Sequence, residues 1–280
     1  MSHDIQHFSM GMWVVALAVV TAFIGISVGT ASARKITSAP SPRQRLLWLS
    51  WAALSIAGIG AWLPHYIAMV GLEVAGSTVR YDAFWIAISF AVPAFTTVLA
   101  LLIVNPPPTR HRKPSNSMEL GRLVPGAILL GAGFAGMHLA IVSSLQIQGS
   151  VGFGVPLTAA AVVIGFVVAA GIMWSISALR SRAPRMAAAV ATAVALVAMH
   201  YVGVFGLTVT VDPEAARSDG LEVFSILFPV FVLGMFVVTV PITALLMAPD
   251  RIAAELESEA DTLAEESRMA ESRDVQLELR

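Results

Sequence analysis

Histidine with methionine close by recurs three times in this chain, each time inside an apolar run. Residues 58–69 read Gly-Ile-Gly-Ala-Trp-Leu-Pro-His-Tyr-Ile-Ala-Met, with His65 and Met69. Residues 131–139 read Gly-Ala-Gly-Phe-Ala-Gly-Met-His-Leu, with Met137 and His138. Met199-His200-Tyr201 lies inside the run 187–210. A histidine within lipid is costly unless it has a partner or a task. Neutral imidazole is the commonest metal ligand, and thioether sulfur suits a soft ion such as Cu(I). The chemistry these residues offer is therefore metal binding, with copper as the first choice; zinc gives no reason for the methionines. Met69 stands four residues after His65 and shares its helix face. Met137 and Met199 directly precede their histidines, about 100° away on an ideal helix, and reach a shared ion only from a rotated helix or a kink.

The N-terminal segment adds His3, His7, Met10 and Met12. His3 and His7 read as part of a solvated terminus. Haem held between two histidines fits the ligand type but leaves one of the three unused. The competing account makes each histidine a hydrogen-bonding contact between helices, each methionine a packing residue, and Tyr66 and Tyr201 members of an interfacial belt. Three matching copies weigh against it. Other chemistry is excluded more firmly. There are no cysteines, and the only lysines, Lys35 and Lys113, fall in connecting segments, so no span offers a Schiff-base lysine. Apart from Glu222 at the edge of the last, no aspartate or glutamate lies within a span, which argues against a carboxylate ion relay. No Walker loop, HExxH or GxSxG occurs. No catalytic constellation is evident, an enzyme is not expected, and no nucleic-acid partner is called for.

The elements that must position these side chains are membrane spans. Of 280 residues, 57% are hydrophobic and 12% charged, against about 25% charged in a soluble domain. Seven stretches reach the roughly 20 apolar residues needed to cross a bilayer: 10–33, 46–70, 83–104, 122–145, 155–179, 184–209 and 221–247. Arg34, Lys35, Arg43 and Arg45, then Arg110, Arg112, Lys113 and Arg122, then Arg180, Arg182 and Arg185 fall in alternate connections, whereas the opposite ones hold only Arg80 and Arg217. Basic connections face the cytoplasm, which puts the N-terminus outside and the C-terminus inside. His65, His138 and His200 follow the last basic residue by 20, 16 and 15 residues. At about 1.5 Å per residue they lie roughly 30, 24 and 22 Å from the cytoplasmic edge, in the outer half of the membrane. The histidines are 73 and 62 residues apart, the length of one helical hairpin. The expected fold is an all-α, seven-span membrane protein: three parallel hairpin repeats, spans 2–3, 4–5 and 6–7, with span 1 in front. An axis along the membrane normal would relate such repeats and bring the histidines together.

The run from Pro106-Pro107-Pro108 to Asn116 reads as a stiff basic connector. After residue 249 the tail, 250–280, carries ten acidic residues against four arginines. It is expected to be a cytoplasmic acidic helix, with residues 1–249 forming the membrane domain and no separate output domain.

Met199-His200-Tyr201, Met137-His138 and Trp62-Leu63-Pro64-His65-Tyr66-Ile67-Ala68-Met69, with Tyr81-Asp82 after the first, resemble the repeated motif of the bacterial MHYT integral membrane sensor domain over about residues 10–247. Pro64, Leu139, Val142 and Val204 replace residues usual in that motif, while all three histidines are kept. The resemblance implies a multi-pass protein of the bacterial inner membrane that holds copper near its outer face and senses oxygen, carbon monoxide or nitric oxide. Many members carry cytoplasmic signalling domains, so here a signal would pass to a separate cytoplasmic partner.

The preferred function is thus a sensor or metal-binding module with His65, His138 and His200 as ligands, assisted by Met69 and by Met137 or Met199. Its partners would be lipid, the metal, a diatomic gas and a signalling protein; association with a second copy is compatible with it. The alternative is metal transport or delivery, for which Met173, Met186, Met235 and Met247 are the deeper candidates, none paired with a histidine.

Overall fold

The computed structural model describes residues 5–106, 116–247 and 262. His3, most of the basic connector and the acidic tail apart from Thr262 lie outside the described residues. The chain divides into two units, Met1–Pro241 and Ile242–Arg280. Among the described residues seven helical segments are long and apolar enough to cross a membrane: Trp13–Ser38, Pro42–Met69, Ala83–Val104, Gly121–Ser143, Val155–Ala178, Arg182–Val204 and Val223–Leu246. The protein is a multi-pass membrane protein, as its composition requires.

Helix α1 is Trp13–Ser38. The second span begins as α2, Pro42–Ala53, widens into a π-helix over Leu54–Trp62, and ends as α3, Leu63–Met69. Helices α4 (Ala83–Val104), α5 (Asn116–Ser143), α6 (Val155–Ala178), α7 (Arg182–Val204) and α8 (Val223–Met247) follow. Their starts obey local chemistry. Ser41 accepts the Gln44 N–H with proline as the next residue, and Asp82 accepts the Trp85 N–H; both are N-caps that satisfy otherwise free donors. Asp82 of the Tyr81-Asp82 pair is therefore a cap, while Tyr81 is buried and bonds through its backbone to Leu221.

Basic residues expected in connections lie largely on helix ends. Arg34 and Lys35 sit within α1, and Arg182 and Arg185 within α7. The Arg34 guanidinium donates to the Ser175 and Leu179 carbonyls at the end of α6, and Arg45 donates to the Asn105 carbonyl just after α4. A cation on the last free carbonyls of a helix satisfies both hydrogen bonding and the helix dipole. The charges on which the expected orientation rests thereby also pin neighbouring helix ends.

The opposite end carries three small antiparallel ribbons. Strand β1 (Ile5–Gln6) pairs with β2 (Glu73–Val74), β3 (Arg80–Tyr81) with β4 (Leu145–Gln146), and β5 (Gly149–Phe153) with β6 (Leu207–Val211). Between them the ribbons link the N-terminal segment to the connections after α3, α5 and α7, so those three helices end together. The Gln148 N–H donates to Ser77 Oγ at 2.8 Å, and its side chain donates to the Pro213 and Ala215 carbonyls. These strands extend the all-α expectation. The sixth span was expected to run to residue 209, but it stops at Val204 and Leu207-Thr-Val-Thr-Val211 becomes β6. A run of β-branched residues whose burial alternates favours a strand once the backbone has an edge to pair with.

Inside the bundle, α1 packs against the second span and α7, while α4, α5, α6 and α7 pack in succession. Helix α1 is thus a member of the core. Its Gly25 meets Gly60 of the π-helix backbone to backbone: a Cβ at Gly25 would fall on Gly60 and Ile59. Much of α8 is exposed, with Phe224, Phe228 and Phe236 facing outward, a surface that suits lipid chains.

Candidate metal centre

The three histidines converge. His65 enters on the first turn of α3, directly after the π-helix and Pro64. His138 comes from α5 and His200 from α7, each within a turn or two of the strand-bearing end. All three are buried, at 1%, 1% and 2% exposure. The His65 ring centroid is 5.2 Å from that of His200 at 88°, and 5.9 Å from that of His138 at 64°. His65 is the ring shared by both contacts.

The hydrogen bonding of His65 fixes its tautomer. Its Nδ1 lies 2.8 Å from the Ala61 carbonyl oxygen. A carbonyl can only accept, so Nδ1 carries the proton and Nε2 presents a lone pair. That Nε2 is buried and has no hydrogen-bond partner; nor do the buried Nδ1 atoms of His138 and His200. A buried polar atom left unsatisfied costs about 1–3 kcal/mol. Three together amount to several kcal/mol, a large part of the roughly 5–15 kcal/mol by which a domain is stable. An imidazole whose Nδ1–H is held by a backbone carbonyl while Nε2 is free has the arrangement of a metal-ligating histidine.

The spacing fits a shared ion. With metal–nitrogen bonds of about 2.0–2.1 Å, two imidazoles on one ion have centroids about 5–6 Å apart at tetrahedral to wider angles. Both histidine contacts fall in that range. Among the described residues no group of three or more His, Cys, Asp or Glu is arranged to hold a metal ion. The rings are gathered, with His138 turned toward α7. Its Nε2 now lies over Gly203 of α7, where a Cβ would overlap the imidazole. Gly203 is what lets α5 bring this ring against α7, and the sequence reading passed over it.

The methionines divide. Met69 is buried and borders a cleft of about 380 Å³ at the strand-bearing end, whose lining includes Glu73, Arg80, Tyr81 and Glu222. Met137 is fully buried. The Met199 thioether rests over Gly165 of α6, its sulfur 3.3 Å from where a Cβ there would stand. In this structure it packs between helices. Around the site, Trp62 Nε1 donates to Ser89 Oγ at 2.9 Å, which in turn donates to the Ile86 carbonyl, tying the end of the π-helix to α4.

His7 is not solvated as expected. Strand β1 ties the N-terminal segment to β2, and Ser9 donates through both its N–H and its hydroxyl to the Gly71 carbonyl at 3.1 and 3.0 Å. His7 then packs edge-on against Phe205 at 4.6 Å, and Phe8 stacks on Tyr201 at 5.1 Å. Burial holds the His7 imidazole below its ordinary pKa.

Comparison with known proteins agrees with the motif. Residues 58–113, which include His65, match the MHYT family model, described as a bacterial signalling protein N-terminal repeat. Over 194 residues the chain is 24% identical to the bifunctional diguanylate cyclase/cyclic di-GMP phosphodiesterase MucR of Pseudomonas aeruginosa. That alignment takes in 68% of this chain and 27% of the relative, so the chain spans about a quarter of that protein's length. No solved structure matches.

Proposed function

We propose that this MHYT-bearing membrane protein is a sensor of the bacterial inner membrane that holds a metal ion, copper by preference, among His65, His138 and His200. The observation that carries the reading is the His65 ring: its Nδ1 is spent on Ala61, its buried Nε2 is free, and two further buried imidazoles flank it. Met69, on the same helix and also buried, supplies the soft donor that favours Cu(I) over Zn(II). Met137 and Met199 would join only after a change of rotamer. Such an ion, bound through few protein ligands, would leave a position for oxygen, carbon monoxide or nitric oxide. The chain's own part is to present neutral lone pairs, exclude water and couple the ligand positions to three helices. We assign the output to a signalling partner rather than to chemistry in this chain. The name of the Pseudomonas relative, a cyclic di-GMP enzyme, supports signalling as the context.

The test is metal content of protein purified with a C-terminal tag free of histidine, followed by infrared spectroscopy under carbon monoxide. We expect about one copper per chain and a Cu(I)–CO stretch. Protein that takes up neither copper nor zinc sinks the proposal.

The same reading places the strand-bearing end outside and arranges spans 2–3, 4–5 and 6–7 as parallel repeats. The chain has no native cysteine, so single cysteines report topology directly. A cysteine at Ser150, exposed beside β5, should react with an impermeant maleimide in intact cells, and cysteines at Ser38 and Ser181 should not. Labelling of Ser38 from outside would reverse the orientation.

A further inference from the structure

The N-terminal segment lies across the end of α7 next to His200, and it carries a fourth imidazole. Tyr201 follows His200 directly, with ring centroids 5.1 Å apart, and Phe205 lies one turn beyond Tyr201. Phe8 stacks on Tyr201 and His7 packs on Phe205. Three anchors hold this placement: the β1–β2 pairing, and the two bonds from Ser9 to Gly71. A solvated terminus would make none of them. Two polar atoms at this contact, His7 Nδ1 on the segment and Tyr201 Oη on α7, are buried without hydrogen-bond partners. Leaving such atoms unpaired this close to solvent is costly where a small turn of the ring would wet them. The same segment exposes two thioethers, Met10 at 45% and Met12 at 65%. Exposed thioethers gain nothing by packing and are soft donors open to an arriving ion.

We propose that His7 is an entry ligand: a half-buried imidazole on the N-terminal strap that takes a soft cation from the surface and passes it to the His65–His138–His200 cluster. This inference rests on the metal-binding reading above. It differs from it in assigning a residue outside the spans and outside the repeated motif, and in giving that residue a kinetic role. The ion moves by ligand exchange. The His7 lone pair binds it first, and a cluster imidazole then displaces His7, so no bond to carbon changes and no electron is transferred. Phe8 on Tyr201 and the Ser9 bonds keep the strap in place during the exchange.

The experiment uses the full-length chain in lipid nanodiscs, with its native N-terminus and a C-terminal tag free of histidine. The probe is Cu(I) offered as its bicinchoninate complex, and loss of the complex's colour gives both the rate and the final amount of copper withdrawn. His7→Phe keeps the aromatic contact with Phe205 but has no lone pair. It should reach the wild-type final amount about tenfold or more slowly, in keeping with the effect of groups around a metal site. His7→Met restores a soft donor and should load at close to the wild-type rate. Loading of His7→Phe at the wild-type rate overturns the proposal and leaves the metal reading standing. So does a His7→Met variant as slow as His7→Phe, because the role would then be packing. A reduced final amount in His7→Phe would make His7 a resident ligand and also overturn an entry role. A wild type that withdraws no Cu(I) overturns the metal reading and this inference together.

Discussion

Replacing His138 or His200 with leucine should abolish most metal binding and yet leave the metal-free protein as stable as before, or more so. The two halves of this result come from the same atoms. The Nδ1 atoms of both rings are buried without a hydrogen-bond partner. Exchanging such a group for an apolar one of similar size removes an unsatisfied polar atom and loses no bond, a change that is neutral or stabilising. Alteration of a residue that merely supports a metal ligand costs about 10–100-fold in affinity, and loss of a ligand should cost no less. His65→Leu should behave differently, because it also removes the bond to Ala61 and leaves that carbonyl to find another donor. Double variants would add less than the sum of the singles, since ligands of one ion act as a unit. Affinity should also fall in acid, because only neutral imidazole binds metal. The measurements are copper affinity by chelator competition and the unfolding temperature of metal-free protein. If each leucine variant lowers stability and leaves metal content unchanged, the histidines are structural and the site is lost as an idea.

The second large effect should come from a residue with no donor atom at all. In Gly203→Val the new side chain would occupy the space of the His138 imidazole. Either the ring swings away or α5 and α7 separate. Overpacking of this kind costs about 1–3 kcal/mol, and the displaced ring should lower metal affinity by at least about tenfold, as other changes around a metal site do. Gly203→Ala should show the same effects more weakly, because its single methyl asks for a smaller shift. A Gly203→Val protein with wild-type affinity would mean that His138 is not held against α7 when metal is bound.

The spans could be read from composition, because the bilayer imposes one length and one polarity on every crossing element. His65, His138 and His200 could be singled out because a titratable ring in an apolar run has few reasons to be there. What could not be read depends on distant pairing. Leu207–Val211 looks like the end of a span until Gly149–Phe153 is placed beside it. His7 looks solvated until Glu73–Val74 supplies an edge for Ile5–Gln6. Gly203 looks like any other small residue on a helix, and its meaning comes from a ring carried on α5, more than sixty positions away. The methionines were legible as donors by type only, since a thioether's direction is set by neighbours such as Gly165.

The widened stretch Leu54–Trp62 has a consequence for heredity. An α-helix needs a fixed number of residues to bring a side chain to a given height and bearing, and each residue added or removed turns all later ones by about 100°. A π-helix closes its bonds one residue further on, as from the Leu63 N–H to the Gly58 carbonyl, and so absorbs an inserted residue without unwinding. His65 lies 23 residues after the start of its span, and His200 lies 18 after the start of α7, yet the two rings meet. The second span therefore holds a surplus that the π-helix takes up in part. Related chains can differ in length between their basic helix ends and their first histidine and still build the same cluster, provided the difference falls within those nine positions. A one-residue deletion there would return the segment toward α pairing and leave His65 on the same face. In this segment a gap in an alignment records a change of backbone pairing and no rotation.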